Sequence, residues 1–151
     1  MKLKLAALAL GLTAATAVIA AKPADTISAR QANFKVMGKS FKGILDELKA
    51  PAPSAAVFQA NAAALAKAAT KVAGGFPKGS GPESGAKTHA LPVIWEKNPD
   101  FRAAAAKLVT ASRAMDAAAK TGNVDQIKAA IPALGGSCKG CHETFKSKDR
   151  D

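Results

Sequence analysis

Apolar positions recur along this chain at helical spacing, and no stretch alternates as a half-buried strand would. The first stripe is Ile27, Phe34, Met37, Phe41, Ile44, Leu45 and Leu48, with steps of 7, 3, 4, 3, 1 and 3 that fit a bundle seam. It predicts a helix from about Thr26 to Lys49, capped by Asp25 or Thr26 and ended before Pro51. A second helix is expected from about Ser54 to Ala73, with Ser54 as N-cap and Gly74-Gly75 as a left-handed stop. Its stripe is Val57, Phe58, Leu65 and Val72, with alanines between.

The segment from Phe76 to Lys97 is rich in Gly, Pro and Ser, and a connection of that length is expected to lie across the bundle surface. Trp95, near its end, is expected to be a packing anchor, and His89 an exposed loop residue. A third helix is predicted from about Pro99 to Lys120, with Asn98 as cap, Pro99 first in the helix and Gly122 after its end. Phe101, Ala105, Leu108, Ser112, Met115 and Ala119 form its buried stripe. A fourth is predicted from about Val124 to Lys148, with Pro132 expected to kink or loosen one turn. Its stripe is Val124, Ile127, Ile131, Leu134, Cys138, Cys141 and Phe145, so both cysteines continue the seam. The expected fold is an all-α, antiparallel four-helix bundle. Abundant alanine and only 5% aromatic residues mean that small side chains let its helices approach closely.

Residues 1–20 stand apart from this pattern. Lys2 and Lys4 precede an almost wholly apolar run from Leu5 to Ile19 that closes on Val18-Ile19-Ala20. A charged start, a short apolar stretch and a small-residue cleavage site predict a cleaved Sec-type signal peptide and a periplasmic protein. A membrane anchor is disfavoured because the run is short for a span. The bundle then occupies residues 21–151, and its formal charge falls from +11 to +9 when Lys2 and Lys4 leave with the leader. The lysines are scattered through the helices, which fits a solvated surface. Export argues against nucleic acid as a partner. No membrane association is expected once the leader is removed.

The two cysteines are three residues apart, and a disulfide across that gap would close a tiny loop and stabilise little. Cys138-Lys139-Gly140-Cys141-His142 is the attachment signature of c-type haem. Residues three apart on a helix share a face, so both thiols can meet the two vinyl groups of one porphyrin edge. His142 can then turn its imidazole beneath the ring toward iron. A thioredoxin-type pair would need a βαβ setting, which this pattern lacks. A zinc site built from Cys138, Cys141, His142 and His89 has the right number of ligands, but Cys141 and His142 are an awkward adjacent pair for a tetrahedral ion. A bis-histidine haem using His89 is a further, weaker alternative. No arrangement for hydrolytic or other substrate catalysis stands out, so no enzyme is expected.

In these motifs the mature chain resembles the cytochrome c' family over nearly its whole length. Arg30-Gln31-Ala32-Asn33-Phe34-Lys35-Val36-Met37-Gly38 is similar to that family's first-helix motif. Pro92-Val93-Ile94-Trp95, followed by Phe101, is similar to its approach to the third helix. Ser137 to His142, with Phe145 and Lys146, is similar to its haem-binding end. The resemblance implies one haem c on Cys138 and Cys141, His142 as proximal ligand, and an open sixth position on iron. It implies that Phe34 guards the open face, where many members carry Leu or another apolar residue. It places Arg30 near the haem propionates and Lys146 on the proximal side, where Arg is common. It also implies a homodimer formed through the first two helices, nitric oxide and carbon monoxide as small gas ligands, and electron-transfer capability with an unidentified redox partner. Met37, three residues after Phe34, is the one obvious candidate for a sixth ligand, and would instead make a six-coordinate, low-spin electron carrier. Pro132 departs from the family's pattern.

Overall fold

The computed structural model describes residues 22–148. The expected leader and its cleavage site lie outside the described residues. The chain forms α1 (Pro23–Glu47), α2 (Ala55–Ala69), a short α3 (Val93–Glu96), α4 (Asn98–Thr121) and α5 (Val124–Phe145). Brief 3₁₀ turns at Ala73–Gly75 and Pro82–Ser84 interrupt the connection between α2 and α3. α1, α2, α4 and α5 are the long members of an all-α four-helix bundle. The tight connections after α1 and after α4 make each following helix run antiparallel to its predecessor. No helix among the described residues is long and apolar enough to cross a membrane.

Periodicity accounts for the core closely. Every residue of the expected α4 stripe is buried: Phe101, Ala105, Leu108, Ser112, Met115 and Ala119. In α2 the buried line is Phe58, Ala62, Leu65 and Ala69, continued by Val72 beyond the helix. Val57, expected on that line, is 37% exposed, because the step from Phe58 to Leu65 sets the inward face and its neighbour points away. Ile44, Phe58, Ile94, Phe101, Met115, Ile127 and Leu134 are almost fully buried. Each such side chain contributes ~1.5–3 kcal/mol of transfer free energy.

Several boundaries differ from expectation for local reasons. α1 begins at Pro23, whose fixed φ suits a first turn, so Lys22 rather than Asp25 or Thr26 is the cap residue. Gly74 and Gly75 supply no left-handed stop; among the described glycines, positive φ occurs at Gly79, Gly85 and Gly122. α2 instead tightens through Thr70 into the 3₁₀ turn. Asn98 lies inside α4, where its side chain donates to the carbonyl of Ile94, and Lys97 is the cap residue. Gly122 ends α4 in the left-handed region at φ +70°, as expected. Asn123 then caps α5, its side-chain oxygen accepting from the backbone N–H groups of Asp125 and Gln126 at 2.9 and 3.1 Å. α5 runs unbroken through exposed Pro132 but stops at Phe145, three residues short of the expected end. There the chain turns extended: Lys146 forms an antiparallel bridge with Ala90, Leu91 N–H donates to Phe145 O, and Ser147 N–H donates to His89 O.

Close packing joins α1 to α2, α2 to α4 and α4 to α5. The first and last helices are held apart by a cavity, which closes where the Phe41 ring reaches Gly135 on α5. That opening positions the site.

Candidate haem-binding site

The cavity has a volume of about 720 Å³ and a predominantly apolar lining. That lies within the range of ligand and cofactor sites. α5 supplies Ser137, Cys138, Cys141, His142 and Phe145, which share one face because they repeat at steps of three and four. α1 supplies Arg30, Phe34, Met37 and Phe41 from the opposite wall. α4 forms the floor with Phe101, Ala105 and Leu108. The connection before α3 closes the mouth with Lys87, Thr88, His89 and Ala90. This connection is therefore a wall of the site rather than a surface crossing, and His89 is half-buried in it rather than exposed. Ser80 of this connection and Ile94 of α3 are each 1% exposed.

Cys138 and Cys141 are free thiols, both half-buried against the cavity. Burial raises the pKa of each above the ordinary thiol value, opposed at Cys138 by the Ser137 hydroxyl. The His142 pKa is lowered by partial burial and then by the nearby Lys146 cation, which favours the neutral imidazole whose lone pair a metal needs. Among the described residues no group of three or more His, Cys, Asp and Glu side chains converges as a metal site. This counts against the zinc alternative, and the His89 carbonyl is engaged by the backbone N–H of Ser147 just beyond the end of α5.

Arg30 is 6% exposed, so it is not a solvated surface charge. Nη1 donates to Ser80 Oγ at 2.9 Å and Nη2 to Thr88 Oγ1 at 2.7 Å, and the guanidinium lies 4.4 Å from the centroid of the Phe76 ring. Burial lowers its pKa and the Glu83 carboxylate partly opposes this, but an arginine remains charged. Lys146, in contrast, is exposed at the rim. Phe34 is half-buried and Met37 is buried, both on the wall facing the thiols.

The residues fit a haem. The apolar cavity would take a porphyrin, its lining brings two thiols and an imidazole together, and Arg30, Lys35, Lys87 and Lys146 at the lining suit anionic carboxylates. The sequence pattern missed Phe76, Ser80 and Thr88. No periodicity marks a contact made across a loop. The available signal was Arg30 itself, a charge placed three residues after Ile27 and four before Phe34 on an otherwise apolar stripe.

A helical bundle split along one seam, with the haem-attachment thiols facing the split, defines a c-type cytochrome built on four helices rather than on the small globular fold. The family profile described as Cytochrome C' matches residues 25–146. The chain belongs to the cytochrome c' family, whose cofactor is haem c, attached here through Cys138 and Cys141. It is 39% identical to the cytochrome c' of Rubrivivax gelatinosus over 128 residues, covering 84% of this chain and 98% of that one. The crystal structure of that relative superposes with a TM-score of 0.77 at 38% identity, over 83% of this chain and 98% of its own. A nitric oxide complex of a variant cytochrome c' from Alcaligenes xylosoxidans superposes at 0.76 with 29% identity, over 85% and 98% of the two chains. A further cytochrome c', described as showing ligand-controlled dimer dissociation, superposes at 0.79 with 26% identity, over 86% and 100%.

Proposed function

We propose that this protein is a periplasmic haem protein whose iron is held by His142 alone and binds small gases, nitric oxide above all, on the face guarded by Phe34. One observation carries the proposal: a single cavity is lined both by Cys138, Cys141 and His142 from α5 and by Phe34 and Met37 from α1. Cys138, Cys141 and His142 would hold the haem, which when bound would supply an iron able to take a small gas ligand and to cycle between ferric and ferrous states. His142 provides a neutral nitrogen. Phe34 provides no lone pair and no hydrogen-bond donor. A face of that kind suits nitric oxide and carbon monoxide, which need no donor, better than dioxygen, which draws negative charge. Arg30 is assigned to the propionates and Lys146 to the proximal side. The nitric oxide complex of the Alcaligenes relative supports the ligand class. The leader pattern of residues 1–20 supports export. The role is ligand binding with electron-transfer capability rather than substrate turnover.

The same iron with Met37 as sixth ligand is the second reading, favoured by the burial of Met37 on the wall facing the thiols. Absorption spectra of the haem-loaded protein separate the two. A high-spin ferric spectrum that is unchanged by Met37→Ala, with faster carbon monoxide binding in Phe34→Ala, supports the five-coordinate reading. A low-spin ferric spectrum that becomes high-spin in Met37→Ala establishes the electron carrier instead. A homodimer formed through α1 and α2 completes the proposal, supported by the dimer described for a relative.

A further inference from the structure

Phe34 does not stand alone on its wall. The Phe76 ring lies against it edge-on, with centroids 6.2 Å apart and planes at 64°. Phe76 also lines the cavity, so the two rings border the same space. What distinguishes Phe76 is how completely it is held. The Arg30 guanidinium covers its face at 4.4 Å, and Arg30 is itself tied to Ser80 and Thr88. The Phe101 ring meets it edge-on at 4.8 Å, and Phe101 in turn packs on Phe145 at 5.4 Å. Trp95 lies 6.2 Å away, and its indole N–H donates to the Phe76 carbonyl at 3.1 Å, which fixes the backbone as well.

A flexible aliphatic residue at this position would give way when the neighbouring ring moved. A ring clamped on its face, its edge and its main chain does not. We infer that Phe76 is a positioning residue for gas binding: it braces Phe34, and so sets how far the guarding ring can swing aside for a ligand. The inference rests on the proposed role of Phe34 and extends it. The steric barrier belongs to a pair of rings, with Arg30 and Trp95 as the groups that keep the second ring still.

The test is carbon monoxide rebinding after flash photolysis of the ferrous, haem-loaded protein. Phe76→Leu should accelerate association about tenfold, the change produced by lowering a barrier by ~1.4 kcal/mol. Phe76→Tyr keeps the ring and should bind at the parent rate. The double variant Phe34→Ala/Phe76→Leu should be no faster than Phe34→Ala alone, because a brace has nothing left to hold. General loosening of the fold would instead add to the Phe34→Ala effect. Trp95→Phe keeps a ring in place but loses the indole donor, and should accelerate association by a smaller factor. It carries the test if Phe76→Leu cannot be purified. Multiplicative effects in the double variant would overturn the inference. So would an unchanged rate in Phe76→Leu, or in Trp95→Phe where that variant stands in. Either result leaves the gas-binding proposal intact if Phe34→Ala is still fast. An unaccelerated Phe34→Ala would overturn the proposal beneath it.

Discussion

Arg30 brings a full charge into the core and meets it with two hydroxyl acceptors and an aromatic face. A buried cation stripped of these partners, or partners stripped of the cation, carries an uncompensated desolvation cost. Arg30→Ala is therefore expected to destabilise the haem-loaded protein by about 2–4 kcal/mol, read from urea unfolding. Arg30→Lys should recover only part of the loss, because a point charge cannot span Ser80 and Thr88 as a planar fork does. An Arg30→Ala protein as stable as its parent would show that the three contacts contribute little. At this scale the sequence was informative wherever residues lie on one helix face. The helix face shared by Cys138, Cys141 and His142 was legible from their spacing and the stripe holding Phe34 and Met37 from theirs, whereas the place given to Phe34 at the open face of iron comes from the family resemblance. The partners of Arg30 were not, because Ser80 and Thr88 sit 50 and 58 residues away on a connection with no repeat.

At the scale of the element, α5 is the helix in which local propensity and tertiary structure disagree. Pro132 removes one i→i−4 hydrogen bond, and Gly135, Gly136 and Gly140 are weak helix formers, yet the helix runs unbroken from Val124 to Phe145. Packing on α4 and the Asn123 cap therefore outweigh propensity. This explains why the expected kink or loosening does not end the helix. The seam from Ile127 through Leu134 to Phe145 was legible because its period survives the weak residues. The helix end was not, since the backbone pairing of Phe145, Lys146 and Ser147 with His89 to Leu91 depends on a distant segment. Pro132 is exposed, and a Cβ at Gly136 would meet nothing within 4 Å. Pro132→Ala should raise stability by up to ~3 kcal/mol and Gly136→Ala by up to ~1 kcal/mol. Both should leave the absorption spectrum unchanged. Thermal unfolding of the haem-loaded variants measures this, and a fall in midpoint would mean that the proline is required by its surroundings.

At the scale of the whole molecule, two large apolar side chains are exposed among the described residues, Val36 on α1 and Val57 on α2, at 46% and 37%. Both lie on the helices proposed for the dimer interface. Replacing each by glutamate should leave the spectrum intact and shift the protein from dimer to monomer in light scattering. A parent protein that is already monomeric at micromolar concentration would remove the proposal. The bundle as an architecture was legible from four stripes of the right period. Its split seam was not, because a stripe of apolar residues looks the same whether it packs on a helix or on a cofactor. That split has a consequence for how the chain reaches its native state. An apolar opening of about 720 Å³ without its cofactor leaves its lining short of packing partners. The haem-free chain is therefore expected to loosen along this seam. With Cys138 and Cys141 changed to serine, it is expected to retain far-ultraviolet helical dichroism, lose near-ultraviolet signal and bind a hydrophobic dye. A haem-free protein with sharp near-ultraviolet bands and cooperative melting would refute this. On that expectation the two thioethers would also serve folding, securing to the last helix the surface on which the first helix completes the bundle.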